Sequence, residues 1–374
     1  MQIDRRQLLA ASAALAALPV RAAPAVSPTT RALYERSMVI DALAGPGSQN
    51  GEGGGAVLNP REIADVRASG VTACNVTVSA VGNGPTTFEE TVGNIGYLNN
   101  EIARHPDVLM KVRTSSDLKA AKASGRLGMI YGLQDSALLG GDLERVRTFD
   151  DLGVRIMQPT YNLRNLAGDG ATEPANGGLS RFGFALVGEL NKRRMLVDFA
   201  HAGQRVMAEG IKASTRPCAI THSGCRALTD HPRNTPDAEM KLLADKGGVI
   251  GIYFMPYLRV SGQQRAADVI AHIEHAVKIA GEDHVGLGTD GTISGVDLTP
   301  EFRKKFAEAN AARKAAGIAA PNENDDVFLF APEYNDPRRF ETLAGDLLAR
   351  GWSTTRIEKI LGANFARLFG EVWG

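Results

Sequence analysis

The amino-acid sequence predicts a (β/α)8 barrel, an α/β fold in which eight parallel strands alternate with helices. About eight short apolar segments of strand length alternate with segments of helical spacing along the 374-residue chain. No change of composition along the chain marks a second domain. Two histidines, His201 and His222, end consecutive apolar segments, and barrel enzymes carry their active sites at such strand ends.

The predicted strands are apolar runs bounded by glycine or polar residues. They cover residues 38–41, 71–79, 127–133, 154–158, 196–200, 218–221, 248–255 and 285–289. Helices are expected at 60–69, 86–103, 117–124, 143–152, 179–192, between the two histidine-bearing strands, and at 237–244 and 266–280. Residues 108–112 are apolar, and their pattern fits either type of element. The C-terminal segment 338–369 is expected to form helices that close the barrel.

Two long segments have the composition of loops. Residues 164–178 are rich in glycine and asparagine and are long enough for a lid or a binding loop. Residues 291–335 are polar and charged, and we expect them to pass over the barrel mouth with one surface helix. Both segments are therefore expected at the end of the barrel that carries ligands.

The stretch 195–234 organises the candidate site. A strand ending at His201, a helix and a strand ending at His222 form a βαβ unit, which makes the two strands neighbours. Two imidazoles from adjacent strand ends can bind one transition metal, and imidazole suits zinc. Each histidine alone also fits a strand-end loop residue that bonds a nearby carbonyl.

Other polar residues follow predicted strands at the same end of the barrel. Asp290 follows the last strand and can act as a general base, or else cap the following turn. Arg233 and Asn234 lie in the loop after the His222 strand, where a guanidinium can clamp a substrate carboxylate or form a surface ion pair. Gln134 and Tyr161 complete the set of strand-end residues.

Composition excludes some classes of partner and of cross-link. Lysine plus arginine and aspartate plus glutamate both number 42, so the formal charge is zero and the chain lacks the basic footprint of a nucleic-acid-binding protein. The 3 cysteines are an odd number, so the sequence implies no closed disulfide framework.

The amino terminus has the pattern of an export signal. Arg5 and Arg6 precede an apolar stretch too short for a comfortable membrane span, followed by small-residue cleavage sites. The pattern predicts a twin-arginine signal over residues 1–25 and one barrel domain over 26–374. The mature protein is then expected in the periplasm, without a stable membrane span. An ordinary secretory signal or an uncleaved anchor are the alternatives.

Four segments carry a resemblance to the membrane dipeptidase (renal dipeptidase) family of metallopeptidases, which are amidohydrolase-like barrels. They are GLSRFGFALVGELNKRRMLVDFAHAG, PCAITHSGCRALTDHPRN, HIEHAVKIAGEDHVGLGTDG and LAGDLLARGWSTTRIEKILGANFARLF. The resemblance implies two zinc ions bridged by a glutamate, and a homodimer would suit it. By position, His201 and His222 resemble the histidines of one metal site, Arg233 the carboxylate-binding residue and Asp290 the proton shuttle.

The chain departs from the family pattern at several metal-ligand positions. Leu43 and Gly45 stand where the family has a His-x-Asp pair, and Gln134 stands where it has the bridging glutamate. Tyr161 replaces the histidine that polarises the scissile carbonyl. We therefore expect one zinc ion rather than two, held by His201, His222 and the oxygen of Gln134 or Asp290, with water completing a tetrahedral site.

These observations favour an exported, metal-dependent hydrolase that cleaves a dipeptide or a related small amide with a free carboxylate. In this hypothesis Asp290 is the base and then the acid, while Tyr161 supports the oxyanion and Arg233 binds the carboxylate. A metal-independent lyase or isomerase on the same barrel is one alternative. A binding protein that has lost catalysis is the other.

Overall fold

The computed structural model describes residues 26–51 and 57–374, and it shows a barrel of eight parallel strands. The predicted signal, residues 1–25, lies outside the described residues. The strands are β1 (Ile40–Asp41), β2 (Ala73–Thr77), β3 (Leu127–Leu133), β4 (Val154–Met157), β5 (Leu196–Val197), β6 (Ala219–Ser223), β7 (Val249–Ile252) and β8 (Val285–Leu287).

Parallel ladders join β1 through β5 in one sheet and β6 through β8 in a second. Two further contacts close the circle. The amide of Phe199, just after β5, donates to Ala219 O of β6 at 2.9 Å, and the amide of Ala42, just after β1, donates to Leu287 O of β8 at 2.9 Å. The (β/α)8 fold predicted from the sequence is therefore confirmed.

Helices follow the strands as the alternating pattern predicts. They span Pro28–Arg36, Pro60–Ser69, Thr87–Arg104, Ser115–Ser124, Glu144–Asp151, Arg181–Lys192, Gln204–Ala213, Asp237–Asp245, Ala266–Ala280, Pro300–Ala315, Arg339–Ala349, Thr354–Glu358 and Asn364–Trp373. The undetermined segment 108–112 forms a short strand, Leu109–Lys111, which pairs with the start of β3. A two-residue ladder, Ala44–Gly45 with Gly291–Thr292, lies beyond β1 and β8.

The last helix plugs the end of the barrel opposite to the strand carboxyl ends. Phe365, Phe369 and Trp373 belong to one buried apolar cluster with first residues of several strands, such as Ile40 and Val249. Gly286 in β8 makes room for this plug, because a Cβ there would lie 2.6 Å from the ring of Phe365. The packing therefore agrees with the expectation that C-terminal helices close the barrel.

The segment 291–335, called the cap below, folds back over the carboxyl ends of the strands. Its helix Pro300–Ala315 begins at Thr299, whose hydroxyl accepts the Phe302 amide at 3.1 Å. Gln263 fixes the far end of the cap, because its side chain donates to Phe330 O at 2.7 Å. Within the described part of the chain, no helix combines the length and the apolar character needed to cross a bilayer.

Candidate functional site

A cavity of about 640 Å³ lies between the carboxyl ends of the strands and the cap. Four of the predicted site residues line its barrel side: Tyr161, His201, Arg233 and Asp290. They follow β4, β5, β6 and β8 respectively, so parallel strands from around the barrel deliver them to one place. The helix Pro300–Ala315 covers the opposite side.

The imidazole of His201 is held in one tautomer. The guanidinium of Arg233, which can only donate, places Nη2 at 3.2 Å from His201 Nε2, so this nitrogen is the acceptor. His201 Nδ1 then carries the proton and donates to Asn162 Oδ1 at 2.7 Å, while Asn162 donates to Ile318 O of the cap at 2.8 Å. Burial and the charge of Arg233 hold the pKa of His201 well below its usual value. His201 is therefore a neutral ring, and its Nε2 lone pair accepts a hydrogen bond from Arg233.

The side chain of Arg233 is buried and fixed at the cavity wall. Besides His201, its Nη1 donates to the carbonyl of Ala200, and its backbone amide donates to His231 Nδ1 at 3.1 Å. A guanidinium carries more N–H donors than these two side-chain bonds use, and Arg233 lines the cavity. The remaining donors are thus available to an anionic group in a preorganised geometry.

His222 lies behind His201, with ring centroids 4.9 Å apart, and is fully buried. Thr221 Oγ1 donates to Asp198 Oδ2 at 2.6 Å, so it accepts the proton of His222 Nδ1 at 2.9 Å. The lone pair of His222 then resides on Nε2, which has no hydrogen-bond partner among the described residues. Burial also holds the pKa of His222 well below its usual value.

Asp290 has an unusual backbone and a perturbed carboxyl group. Its φ of 58° lies in the left-handed region, and its amide donates to Leu43 O at 2.9 Å, which holds this conformation. Burial raises the pKa of Asp290 to about 6, although Arg233 and Arg313 oppose the shift. A carboxyl group with this pKa, facing a cavity, is suited to proton transfer near neutral pH.

The cap is tied to the barrel by a partly buried charge network. Arg313 donates to both oxygens of Glu323, at 2.8 and 2.9 Å, and Glu323 accepts the hydroxyl of Tyr257 at 2.7 Å. Arg313 Nη1 also lies 3.5 Å from the hydroxyl of Tyr161, whose ring stacks on His201 with a centroid distance of 4.1 Å. Burial raises the pKa of Tyr161, so its phenol keeps its proton.

Sequence reasoning missed Asn162, Arg313, Glu323 and Tyr257 as parts of this site. Asn162 follows Tyr161 directly, so its position after β4 was a usable signal. The two charged cap residues carry no local motif that separates them from ordinary surface charges. Their role follows only from the path of the cap.

Besides the fully buried His222, two further predicted site residues, Gln134 and Asn234, lie apart from the cavity wall. Gln134 donates to Thr77 Oγ1 at 2.9 Å and is not among the residues that line the cavity. Asn234 donates to the carbonyls of Thr229 and Tyr257, both at 2.8 Å, and accepts the hydroxyl of Tyr253. The amide groups of both residues are therefore engaged in bonds that shape the barrel end.

The donor set does not fit the metal centre that the resemblance implies. Among residues 26–51 and 57–374, no group of 3 or more His, Cys, Asp or Glu side chains is placed to hold a metal ion. Leu43 is buried and has no side-chain donor atom, and Gly45 forms part of the short ladder at the barrel mouth. Of the two imidazoles, only His222 offers a free lone pair, whereas catalytic zinc sites commonly use three protein ligands.

Comparison with known protein families gives one extended match. A profile of the membrane dipeptidase family, peptidase family M19, matches residues 31–305. Dipeptidase verJ of Clonostachys rogersoniana is 28% identical over 288 residues, which are 76% of this chain and 66% of that protein. The match therefore spans slightly less than two thirds of that relative's length. The profile match ends inside the helix Pro300–Ala315, so most of the cap lies beyond it.

Solved structures with the same fold include two informative neighbours. An amidohydrolase from Pseudomonas aeruginosa is 32% identical, with a TM-score of 0.78, over 92% of this chain and 99% of that chain. A metallopeptidase from Rhodobacter sphaeroides, described with a phosphinate mimic of the dipeptide L-Ala-D-Ala, has a TM-score of 0.72 at 17% identity. That second alignment covers 90% of this chain and 99% of that one, and it shows the shared fold.

Proposed function

Because the chain belongs to the membrane dipeptidase family, we propose that it hydrolyses a dipeptide or a related small amide with a free carboxylate. One observation carries this proposal. The fixed guanidinium of Arg233 and the carboxyl group of Asp290, with its pKa raised to about 6, face the same cavity. One group can hold the carboxylate of a substrate while the other acts on the neighbouring amide.

In the proposed reaction the substrate carboxylate accepts hydrogen bonds from the donors of Arg233 that protein groups do not use. Asp290 takes a proton from a water molecule whose oxygen attacks the amide carbon. The C–N bond then breaks, and Asp290 returns the proton to the leaving nitrogen. The phenol of Tyr161, protonated because burial raises its pKa, donates to the developing oxyanion. His201 acts as a positioning residue that holds Arg233.

A metal ion is not assigned a step in this mechanism. Zinc, when bound, would activate a hydroxide for attack on the amide, as the family resemblance implies. Its expected ligands are not assembled, because Arg233 takes the lone pair of His201 and Gln134 does not line the cavity. We therefore propose that the reaction depends on Asp290, Arg233 and Tyr161, and that Gln134 and Asn234 position the surrounding backbone and side chains.

A lyase or isomerase reaction is the second candidate, and the bond between Arg233 and His201 is what favours it. With the lone pair of His201 engaged by Arg233, the ionisable groups that face the cavity are suited to proton abstraction and return by Asp290 and Tyr161. The two functions are distinguished by turnover of carboxylate-bearing amides in H2¹⁸O. Hydrolysis places ¹⁸O in the acid product, whereas a lyase or an isomerase leaves the product unlabelled.

The pH dependence of hydrolysis provides a direct test of the role of Asp290. The base must be ionised, and burial raises its pKa to about 6. We expect the acidic limb of the kcat/KM profile to reach its plateau at about pH 7. Below about pH 6, kcat/KM should fall about tenfold per pH unit. Profiles of kcat/KM in buffers of constant ionic strength check this. An acidic limb centred near the ordinary aspartate value, about pH 4, would contradict the assignment.

We propose that residues 1–25 direct export through the twin-arginine pathway and that the barrel, 26–374, acts in the periplasm, where a homodimer would suit the family resemblance. The support is the Arg5-Arg6 pair before a short apolar stretch. Fractionation of cells that express the wild-type chain or a variant with Arg5→Lys and Arg6→Lys tests the route. Equal periplasmic amounts of the two proteins would refute twin-arginine export.

A further inference from the structure

The cavity has a second wall of a different chemical character from the barrel side. Phe302 and Phe306 of the cap helix line it, together with Leu329 of the cap and Met255 of the barrel. Phe302 and Phe306 are one helical turn apart, so they share the inner face of the helix. Their rings are stacked, with centroids 5.8 Å apart.

This aromatic wall is a built part of the structure rather than a mobile surface. Phe328 packs behind Phe306, with a centroid distance of 5.3 Å, and Phe330 stacks on Phe328 at 5.9 Å. Together with Val296, these rings form an apolar cluster separate from the barrel core. The backbone of the cluster is tied down, because Gln263 donates to Phe328 O at 3.0 Å. The wall therefore keeps its shape toward the cavity.

The cavity is large enough to hold a ligand bigger than a compact polar molecule. About 640 Å³ is within the range of pockets that enclose drug-sized molecules. Apolar surface that faces a cavity favours an apolar group there, because covering it removes both surfaces from water. Arg233 and Asp290, which orient the ligand in the proposed function, stand on the barrel wall.

We propose that the substrate carries a large apolar group, aromatic or aliphatic, which packs against Phe302 and Phe306 while its carboxylate binds Arg233. This inference rests on the proposed function, since it places the two ends of the proposed substrate against opposite walls of the same cavity. The amide to be cleaved lies between them, within reach of Asp290. Dipeptides of small residues and short acyl amino acids are then poor ligands, and bulky N-acyl or aminoacyl derivatives are good ones.

Two amides that share their carboxyl half test this assignment, namely N-phenylacetylglycine and N-acetylglycine. Wild-type protein is expected to favour the first in kcat/KM by about 10–100-fold, the factor typical of burying one large apolar side chain. Phe306→Ala is expected to reduce that preference about tenfold, and Phe306→Leu to retain most of it. The control is Phe184→Ala, because the side chain of Phe184 is exposed and lies outside the cavity. This variant should keep the wild-type preference for N-phenylacetylglycine.

Equilibrium binding separates this inference from the proposed function. Dissociation constants for both amides are measured calorimetrically on the Asp290→Asn variant, in which turnover is expected to be strongly reduced. A preference for the phenylacetyl compound that depends on Phe306 supports the inference, even if the wild-type protein hydrolyses neither amide. Equal affinities, or a preference that survives Phe306→Ala unchanged, would overturn the inference while leaving the hydrolase proposal standing.

Discussion

Replacement of Asp290 by asparagine is expected to reduce kcat by about 10²–10⁴-fold, the range that general acid–base catalysis contributes. Asparagine has nearly the same shape but can neither accept the proton of water nor return it to the leaving nitrogen. The affinity for carboxylate ligands should change little, because Arg233 remains. Steady-state kinetics and ligand titrations on the same preparation measure both quantities.

The stability of this variant provides an internal check on folding. The pKa of Asp290 is raised to about 6 in the folded protein and is about 3.9 in an unfolded chain. Ionisation of the carboxyl group therefore lowers the free energy of unfolding by its full amount above about pH 6, and it has no effect below about pH 4. We expect Asp290→Asn to unfold at a higher temperature than wild type at pH 7.5, with the difference vanishing toward pH 4.

Asp297→Asn is the matched control for this substitution. Asp297 is an aspartate of the cap, but it forms an exposed ion pair with Arg61 and does not line the cavity. Its replacement should leave kcat unchanged and alter stability by no more than about 1 kcal/mol. Retention of full activity in Asp290→Asn would remove Asp290 from the mechanism. Loss of turnover confined to Asp290→Asn would also exclude a binding protein without catalysis.

Replacement of Arg233 by methionine is expected to weaken binding of a carboxylate ligand by about 2–5 kcal/mol, as for other buried charge-assisted pairs. Methionine fills a similar volume but provides no N–H donor. The carbonyl of Ala200 and the Nε2 of His201 lose their partner as well. Unfolding by denaturant should therefore show a loss of about 1–3 kcal/mol for the groups left unsatisfied.

A pair of ligands isolates the electrostatic part of this effect. Wild-type protein should bind a free carboxylate far more tightly than the matching primary amide, whereas Arg233→Met should bind the two compounds about equally. Arg233→Lys keeps the charge but not the forked geometry, so an intermediate preference is expected. Undiminished selectivity for the carboxylate in Arg233→Met would show that another cation, such as Lys305 or Arg313 on the cap, binds it.

Much of the fold could be predicted because each barrel strand is a continuous apolar run. The run 127–133 coincides with β3 at both ends. The run 248–255 is longer than β7, because the chain after Ile252 leaves the barrel and turns into a short helix at Pro256–Leu258. Apolar residues continue across that turn, so composition alone could not locate the end of the strand.

The barrel side of the site was predictable for a geometric reason. Tyr161, His201, Arg233 and Asp290 each follow a strand, and parallel strands end at the same face of the barrel. The sequence could not show that Arg233 would bond to His201, since this depends on the conformation of the loop after β6. Because of that contact, His201 holds Arg233 as a fixed anion-binding group instead of acting with His222 as a pair of metal ligands.

The cap side of the site could not be predicted in the same way. Tyr161 and Arg313 are 152 residues apart, and His231 and Pro321 are 90 residues apart. Contacts between such distant residues depend on how the cap crosses the barrel, and no local pattern encodes that path. The phenylalanines of the cap helix had a readable spacing, but the polar residues around them indicated a solvated surface helix.

Metal content tests the central proposal most directly. Elemental mass spectrometry is applied to the purified protein and to a His201→Ala/His222→Ala double variant, with activity measured in the presence of a chelator. We predict well below one equivalent of any transition metal in both proteins, and wild-type turnover that the chelator leaves unchanged. One or two equivalents that disappear in the double variant, with activity lost in the chelator, would contradict the proposal and assign both histidines to a metal site.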